Sequence, residues 1–415
     1  MRAETAELLQ DQRYRRLFSS RFISNVGNGM QPIALAFGVL ALPGATPSSL
    51  SLVLAAQAVA VLFVLPFGGA IADRYGAARI VGGTDILISI VVLMQAALFL
   101  TANATVPLLT VLAVMAGALN GMWYPAFVGL TPDVVPEGSL QPANAWLSVA
   151  HNVGYILGAS LGGLIVASAG PAAALAVDAA SFLIAGMLVW SFRRVSHTRH
   201  SGESMVRDII EGWGVFISYR WVVVISVSYS FIVMCWHASE AVLGPVLANE
   251  VYGGPRGWSV VLAAQACGLL AGGLIAVKVK PRRPLIVGSL VTLTLPAWEL
   301  MFAGELPLVA VALGAMAVGI AIEYFYVVWM TAFQANIPRE SLSRVGSYDA
   351  FGALMLGPLG IALAGPLIGL VGLSVVFVAA AAISFVAIVG MLASSSVRGL
   401  RMNAAADGAT GTDPA

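Results

Sequence analysis

The chain has 415 residues, of which 59% are hydrophobic and only 10% are charged. A soluble domain normally carries about 25% charged residues, so this composition excludes an ordinary soluble protein. The formal net charge is only +1, so the positions of the charges are more informative than their sum. The two cysteines, Cys235 and Cys267, lie inside apolar runs, and no disulfide framework is therefore expected.

Long apolar runs predict an all-α integral membrane protein with twelve transmembrane helices. The run from Ser51 to Ala72 carries no charge and is long enough to cross the ~30 Å hydrocarbon core as a helix. Asp73 and Arg74 follow at once, and another apolar run begins soon after Arg79. The predicted spans are residues 18–42, 49–72, 80–101, 106–130, 141–168, 172–192, 221–248, 258–277, 284–303, 307–330, 343–368 and 371–393.

Two sequence echoes predict that one half of the chain duplicates the other. The segment SLVLAAQA at 51–58 returns as SVVLAAQA at 259–266, and PEGSL at 136–140 returns as PRESL at 338–342. The offsets are 208 and 202 residues. Chance matching between alanine-rich helices is the alternative, and two echoes at nearly one offset argue against it. The sequence therefore predicts two pseudo-symmetric six-helix bundles.

The basic residues predict how the chain is oriented. If the N-terminus is cytoplasmic, Arg256 is the one basic residue of the 21 that falls on the outer side. Loops rich in lysine and arginine stay in the cytoplasm. We therefore predict a multi-pass protein of the cell membrane (the inner or plasma membrane) with both termini in the cytoplasm.

The same reasoning predicts five regions. They are a cytoplasmic N-terminal segment (1–17), a six-helix bundle (18–192), a cytoplasmic connector (193–220), a second bundle (221–393) and a tail (394–415) that is expected to be disordered. In the connector, apolar residues from Val206 to Ile217 recur at helical spacing. They predict an amphipathic helix on the inner membrane surface, with a solvated linker helix as the alternative.

Three motifs accompany the two predicted halves. They read GAIADRYG at 69–76, GYILGASLGG at 154–163, and TPDVVPE at 131–137 together with DAASF at 178–182. The first resembles the loop between helices two and three of the major facilitator superfamily. The second is similar to its helix-five antiporter motif. The third resembles its drug and siderophore exporter branch, which includes macrolide efflux proteins and the enterobactin exporter. The resemblance covers roughly residues 13–395.

The resemblance implies roles for two groups of glycines and charges. It makes Gly69, Asp73, Arg74 and Gly76 a conformational gate in which Asp73 faces the positive end of helix eleven. It makes Gly154, Gly158, Gly162 and Gly163 a determinant of export. Glycine at every fourth position also lets two helices approach closely, so plain packing is the alternative. The sequence departs from the family at Ala77 and Ala78, where basic residues are usual, and at Ala159, where proline is usual.

In the family, helices one, four, seven and ten line a central cavity, which implies a set of candidate residues for binding substrate and protons. Aromatic rings, amides and one or two acids fit an amphipathic organic ligand. The candidates are Asn25, Asn28, Gln31, Asn120, Trp123, Tyr124, Ser230, His237, Glu240, Glu323 and Tyr326.

Acidic residues inside the spans are the sharpest functional signal, because burying their charge in lipid costs several kcal/mol. Glu323 is the leading candidate for proton coupling, with Glu240 second. The alternative is a purely structural Glu323 that is hydrogen-bonded to Asn120 or to an amide of helix one. Asp85, Asp178 and Asp349 are secondary proton sites. The alternative for Asp85 and Asp349 is a structural pairing with nearby arginines, and the alternative for Asp178 is a packing role. Glu299 lies near the outer end of its span and is expected to be solvated.

These observations predict a secondary transporter and not an enzyme. The expected function is export of small amphipathic organic molecules (drugs, antibiotics or siderophores) by alternating access, as a monomer in the bilayer. The transmembrane proton gradient would drive it, with no cofactor, metal or nucleic acid. The chain has no phosphate-binding loop motif, so it is not itself an ATP-driven pump. The alternatives are a proton-coupled nutrient importer and a receptor or assembly factor with the same fold.

Overall fold

The computed structural model describes residues 11–135, 140–191, 213–279 and 281–400, and these residues are helical apart from short turns and breaks. They form twelve long helices and two short helical segments, one at residues 213–218 and one after the last long helix. The helices are α1 Gln12–Leu40, α2 Pro47–Tyr75, α3 Ala77–Leu100, α4 Val106–Val134, α5 and α6 within Leu140–Trp190, α7 Arg220–Val251, α8 Pro255–Lys278, α9 Pro284–Ala303, α10 Leu308–Asn336, α11 (Arg339–Leu354 and Gly357–Val371), α12 Leu373–Ala393 and α13 Ser395–Arg398.

The twelve-helix prediction is confirmed, although only ten stretches of the described residues are long and apolar enough to count as membrane spans. One of the ten, Trp146–Trp190, has a non-helical residue at Gly170 and contains two crossings, α5 and α6. Helix α1 is not among the ten, because it carries four arginines and several polar residues.

Glycines in a left-handed conformation separate consecutive helices. Gly76, between α2 and α3, has φ 91°, Gly170 between α5 and α6 has φ 84°, and Gly372 between α11 and α12 has φ 87°. Side chains strain such backbone, so glycine is the residue that allows these tight turns. Gly170 and Gly372 lie 202 residues apart, which matches the predicted duplication.

Equivalent helix contacts recur in the two halves, α1–α6 and α7–α12. Gly158 of α5 packs against the carbonyl oxygen of Val26 in α1, and Gly360 of α11 packs in the same way against Met234 in α7. Gly117 of α4 and Gly319 of α10 likewise pack on carbonyl groups of α2 and α8. The duplicated sequence therefore forms two similarly packed bundles.

Two boundaries differ from the predictions. Helix α1 begins at Gln12 instead of residue 18, because the Asp11 carboxylate caps it by accepting bonds from the N–H groups of Arg13 and Tyr14. The tail, expected to be disordered from 394, contains α13, whose Val397 is buried. Residues 192–212 and 401–415 lie outside the described residues. The predicted amphipathic helix is therefore seen only in its last part, where residues 213–218 are helical, Phe216 is buried, and Trp213 and Ile217 are exposed. Its place on the membrane surface stays a prediction.

Prolines break two helices near the middle of the C-terminal half. Helix α7 contains a π-helical turn, Ser239–Leu243, and Pro245 has no N–H to bond the carbonyl group of Ala241 four residues earlier. Helix α11 is interrupted at residues 355–356, just before Pro358.

Candidate functional site

The two halves pack together at one face of the bundle. We call it the far face, because it is opposite the terminal face, where α1 begins and α12 ends. Here the N–H of Gly365 in α11 donates to Ser51 Oγ in α2, at 2.8 Å. Gly163 of α5 packs against Ser259 of α8. Ser51 and Ser259 are the first residues of the repeated octapeptides, so the repeat forms both sides of this far-face seal.

Among the described residues, the contact between α2 and α11 is confined to the far-face part of α11. The part of α11 that packs on α2 is Gly357–Val371, whereas the described part of Arg339–Leu354 packs on α7 of its own half. The described residues therefore form a transporter-like arrangement that is closed at the far face.

A cavity of about 300 Å³ lies between the halves, next to the seal. Most of its lining is aliphatic, and Trp258 contributes an aromatic ring. Its polar groups are Gln31 and Gln57 from the N-terminal half and His237 and Glu240 from the C-terminal half. No lysine or arginine is among its described lining residues. Such a site suits an apolar molecule that carries a hydrogen-bonding or cationic group.

The irregular part of α7 positions the two titratable groups of this cavity. Glu240 is the second residue of the π-helical turn, and its Oε2 accepts a bond from Gln265 Nε2 at 3.3 Å. His237 lies just before this turn, and its Nδ1 would be only 2.7 Å from a Cβ placed on Gly357. Glycine at position 357 therefore lets α11 approach the imidazole closely.

Glu323, the leading sequence candidate, lies elsewhere. It is half-buried and packs on Gly272 and Gly273 of α8, and it does not line the cavity. A Cβ on Gly272 would lie 3.1 Å from the Glu323 Cβ, so the glycine pair provides the space for this side chain. No hydrogen bond between Glu323 and Asn120 is seen among the described residues, and Asn120 Nδ2 donates to the carbonyl oxygen of Ala116.

The polar residues of α1 form a network inside the N-terminal half. The guanidinium group of Arg21 pairs with Asp85 of α3 at 2.7 Å, and both residues are at most 5% exposed. The same guanidinium group lies 4.5 Å from the ring centroid of Trp123. Asn25 Nδ2 donates to the carbonyl oxygen of Arg21, and Asn25 Oδ1 lies 2.9 Å from His151 Nδ1. Asp85 thus has the arginine partner that its structural alternative required.

The two other secondary acids have different surroundings. Asp349 of α11 accepts bonds from Ser226 Oγ and Trp329 Nε1, so hydrogen bonds, and not the expected arginine, satisfy both of its oxygens. Asp178 of α6 is fully buried against Gly27 of α1. Its two carboxylate oxygens have no hydrogen-bond partner among the described residues. The bonds of Asp349 thus connect α7, α10 and α11, whereas Asp178 makes no such connection through its carboxylate.

The remaining candidates lie outside this cavity, although Tyr326 of α10 lies near Tyr124 of α4 and near Glu323. Ser230 is buried and donates to the carbonyl oxygen of Val227. Asn28 Nδ2 lies 3.5 Å from Asn25 Oδ1. Tyr124 and Tyr326 are 60% and 55% exposed. Of the eleven predicted cavity residues, the structure places Gln31, His237 and Glu240 together in the cavity.

The helix-five glycines form the predicted groove, and the neighbouring helix is α1. Gly154 packs on Phe22 and Asn25, Gly158 on Val26, and Gly162 on Met30. Gly163 points to α8 instead and belongs to the seal. The close approach is a packing feature, and its role in export stays a prediction.

The gate motif is described in part. Gly76 supplies the left-handed turn, and Arg74 is exposed with its guanidinium group 5.6 Å from the ring centroid of Tyr75. Gly69 has only Pro125 nearby, whereas a Cβ on Gly68 would come within 2.8 Å of α4. The side chain of Asp73 lies outside the described part, so its contact with α11 stays a prediction.

Sequence reasoning missed or misplaced several residues of this region. Glu299, expected to be solvated, is fully buried and accepts a bond from Ser239 Oγ at 3.2 Å. Distance from a helix end does not reveal which face the side chain occupies, and this face of α9 packs on other helices. Gln57, Gln265 and Trp258 were missed, although the repeated octapeptides contain both glutamines.

Comparisons with known proteins agree with this architecture. The chain is 26% identical over 373 residues to "Multidrug efflux pump Tap" of Mycolicibacterium fortuitum, which covers 86% of this chain and 89% of that protein. Two solved structures share the fold. One is a mutant of nucleoside transporter NupG (TM-score 0.71, 12% identity, 92% and 99% coverage). The other is a bacterial homolog of the human lysosomal transporter Spinster, inward-facing and unoccupied (TM-score 0.70, 15% identity, 98% and 100% coverage).

The family model described as Major Facilitator Superfamily matches residues 17–298, more than half of the chain. The family match and the transporter relatives show that a chain with this fold is a membrane transporter, and not an enzyme. The chain belongs to this superfamily, and it is a multi-pass membrane protein that carries a small-molecule substrate.

Proposed function

We propose that this transporter exports small amphipathic organic molecules, above all those with a cationic group, in exchange for protons. The observation that carries the proposal is the cavity between the halves. It is mostly apolar, it contains the Glu240 carboxyl group, and no lysine or arginine is among its described lining residues. A cation would gain from the carboxylate and from the ring of Trp258. The likeness to a relative named as a multidrug efflux pump supports export over import.

In this proposal Glu240 is the acid for which proton and substrate compete. The ionised carboxylate binds the cationic group, and proton binding neutralises it and releases the substrate. Gln265, which donates to the same carboxyl group, keeps it oriented toward the cavity. Glu323 becomes the second candidate, because it lies outside the cavity.

Alternating access would require the far-face seal to break. The Ser51–Gly365 hydrogen bond and the Gly163–Ser259 contact would separate, while the terminal-face parts of α2 and α11 come together. The positive-inside pattern makes the terminal face cytoplasmic, so the conformation closed at the far face would accept substrate from the cytoplasm. We infer further that the chain is divided into the five predicted regions, with the boundaries corrected above, and that the protein acts as a monomer, without cofactor or nucleic acid.

Uptake of ethidium, an amphipathic cation, into inverted membrane vesicles tests this function. An acid vesicle interior should drive accumulation by the wild type, and dissipating the pH gradient should stop it. Glu240→Gln should not accumulate the probe, whereas the exposed-residue variant Glu305→Gln should behave as wild type. Accumulation that needs no pH gradient would contradict antiport, and proton-driven movement out of the inverted vesicles would indicate the importer.

A further inference from the structure

Helices α7, α9 and α12 enclose a second polar cluster inside the C-terminal half. Its members are Glu299 of α9, Cys235 and Ser239 of α7, and Ser384 of α12, and each is at most 3% exposed. Ser239 Oγ donates to Glu299 Oε1 at 3.2 Å, and Ser384 lies beside both Glu299 and Cys235. None of the four lines the cavity.

The cluster contains polar atoms without a well-formed hydrogen bond. Glu299 Oε2 and Ser384 Oγ are buried and close to each other, and neither makes a hydrogen bond of good geometry with the described residues. The ion pair that the described residues form, Arg21–Asp85, lies in the other half. An ionised Glu299 would therefore be a buried charge without a counter-ion, which is strongly unfavourable inside a membrane protein. The neutral acid carries an O–H that can be donated to Ser384 Oγ.

A proton fits this cluster better than a metal ion does. A hard cation needs a shell of several oxygens, and the cluster offers one carboxyl group and two hydroxyls. A proton needs one oxygen and one acceptor. Few titratable groups lie near Glu299. Cys235 of α7 is one, and Glu240 lies on the other side of the π-helical turn. Helix α12 contributes the hydroxyl group of Ser384.

The cluster is bonded directly to the segment that holds Glu240. Ser239 is the first residue of the π-helical turn, and its carbonyl oxygen accepts from the N–H of Gly244 five residues on. Returning such a turn to α-helix would rotate the side chains on one side of it by about 100° relative to the other. π-helical turns often mark functional positions. A hydrogen bond that fixes the Ser239 side chain therefore helps to set the direction of the Glu240 side chain.

We propose that Glu299 is a proton-carrying positioning residue: as the neutral acid it holds Ser239 in the π-helical turn and thereby presents Glu240 to the cavity. When Glu299 loses its proton to water that enters from the cavity, the turn is released and Glu240 moves. The inference rests on the proposed function only for the role of Glu240 in binding substrate. The proton site at Glu299 itself needs no substrate.

Infrared spectroscopy of the purified full-length protein in lipid nanodiscs tests the proton. The wild type should show, at neutral pH, a carbonyl stretch of a protonated carboxyl group that is lost in Glu299→Gln. The matched control is Glu305→Gln, which removes an exposed acid just beyond the same helix and should leave that band unchanged. A Glu299→Gln spectrum identical to that of the wild type would overturn the proposal.

Thiol labelling tests the movement. Ala241 lines the cavity beside Glu240, and Ala241→Cys can be introduced after the exposed Cys267 is replaced by serine. The labelling rate should change severalfold between acidic and alkaline pH, and it should become independent of pH in Glu299→Gln but not in Glu305→Gln. The proposal would be overturned if the labelling rate of Glu299→Gln still depended on pH. It would also be overturned if a change in sodium concentration at constant pH altered the labelling rate of the wild type in the same way.

Ser239→Ala covers the case in which Glu299→Gln does not fold. This variant keeps the acid and removes its link to α7, so the infrared band should remain while the pH dependence of labelling is lost. Retention of that pH dependence would overturn the positioning role. Neither measurement uses a substrate or a gradient. If both succeed and ethidium is not exported, the proposed function fails and the proton site stands.

Discussion

Helices α1 and α7 occupy equivalent places in the two halves, and they hold their polar residues in opposite ways. On α1, Arg21 pairs with Asp85 and lies over an aromatic ring, while Asn25 bonds within the same half. On α7, Glu240 and His237 face a cavity whose described lining has no cationic side chain. The difference indicates that the α1 network stabilises its bundle, whereas the α7 groups remain available for a ligand or a proton.

Removing one partner of the α1 ion pair should have the largest effect on stability. Asp85→Asn leaves the buried Arg21 unpaired, and breaking a buried pair in this way costs about 3–5 kcal/mol. We expect a low yield of folded protein and a markedly lower thermal unfolding temperature in detergent.

The control for this prediction replaces both partners. Arg21→Met combined with Asp85→Leu should recover much of the lost stability, because apolar residues of similar volume can substitute for a buried pair. Glu240→Gln should leave the unfolding temperature nearly unchanged. If Asp85→Asn is as stable as the wild type, the α1 network is not structural and the contrast between α1 and α7 fails.

The glycine contacts of α5 and α11 are equivalent in the two halves, so substitutions there allow a direct comparison between the halves. Gly158 meets Val26 of α1 and Gly360 meets Met234 of α7, both more closely than a side chain allows. Alanine at either position should cost about 1–3 kcal/mol through overpacking, measured by thermal unfolding. Gly129→Ala, which meets nothing within 4 Å, is the matched control.

Transport measurements distinguish a packing role of these glycines from a specific role of the helix-five motif in export. If the glycines only pack helices, Gly158→Ala and Gly360→Ala should reduce ethidium export to the same degree per folded molecule. If the helix-five motif determines export, Gly158→Ala should lose far more. Equal stability of Gly158→Ala and Gly129→Ala would contradict the groove itself.

Much of this architecture is predictable from sequence, because apolar runs and helix-breaking glycines act locally. The octapeptide repeat indicated two similar halves, and both copies form the seal. The surroundings of individual acidic side chains were not predictable from the sequence. Glu299 was expected in water and is buried, while Glu323 packs on a glycine pair of α8. Which helix covers a side chain depends on tertiary packing, and α7 carries a π-helical turn that shifts its face.

The smallest effect is expected at the seal, where its two serines differ. Ser51 Oγ accepts the N–H of Gly365 from the other half, whereas Ser259 Oγ donates within its own helix to the carbonyl oxygen of Arg256. Ser51→Ala should weaken the seal by about 1 kcal/mol. The labelling of Ser48→Cys by a membrane-impermeant thiol reagent should then rise about fivefold.

Ser259→Ala should change this labelling little, because no bond between the halves is lost. A larger effect at Ser259 than at Ser51 would reverse the assignment of the seal bond.

The affinity for ethidium as a function of pH tests most directly whether proton and substrate compete at Glu240. It can be measured by fluorescence on the purified wild type, Glu240→Gln and Glu323→Gln. We predict that binding to the wild type and to Glu323→Gln weakens as the pH falls, since protonation removes the carboxylate. Binding to Glu240→Gln should be weak and independent of pH. A Glu240→Gln variant that keeps the pH dependence of the wild type would contradict the account.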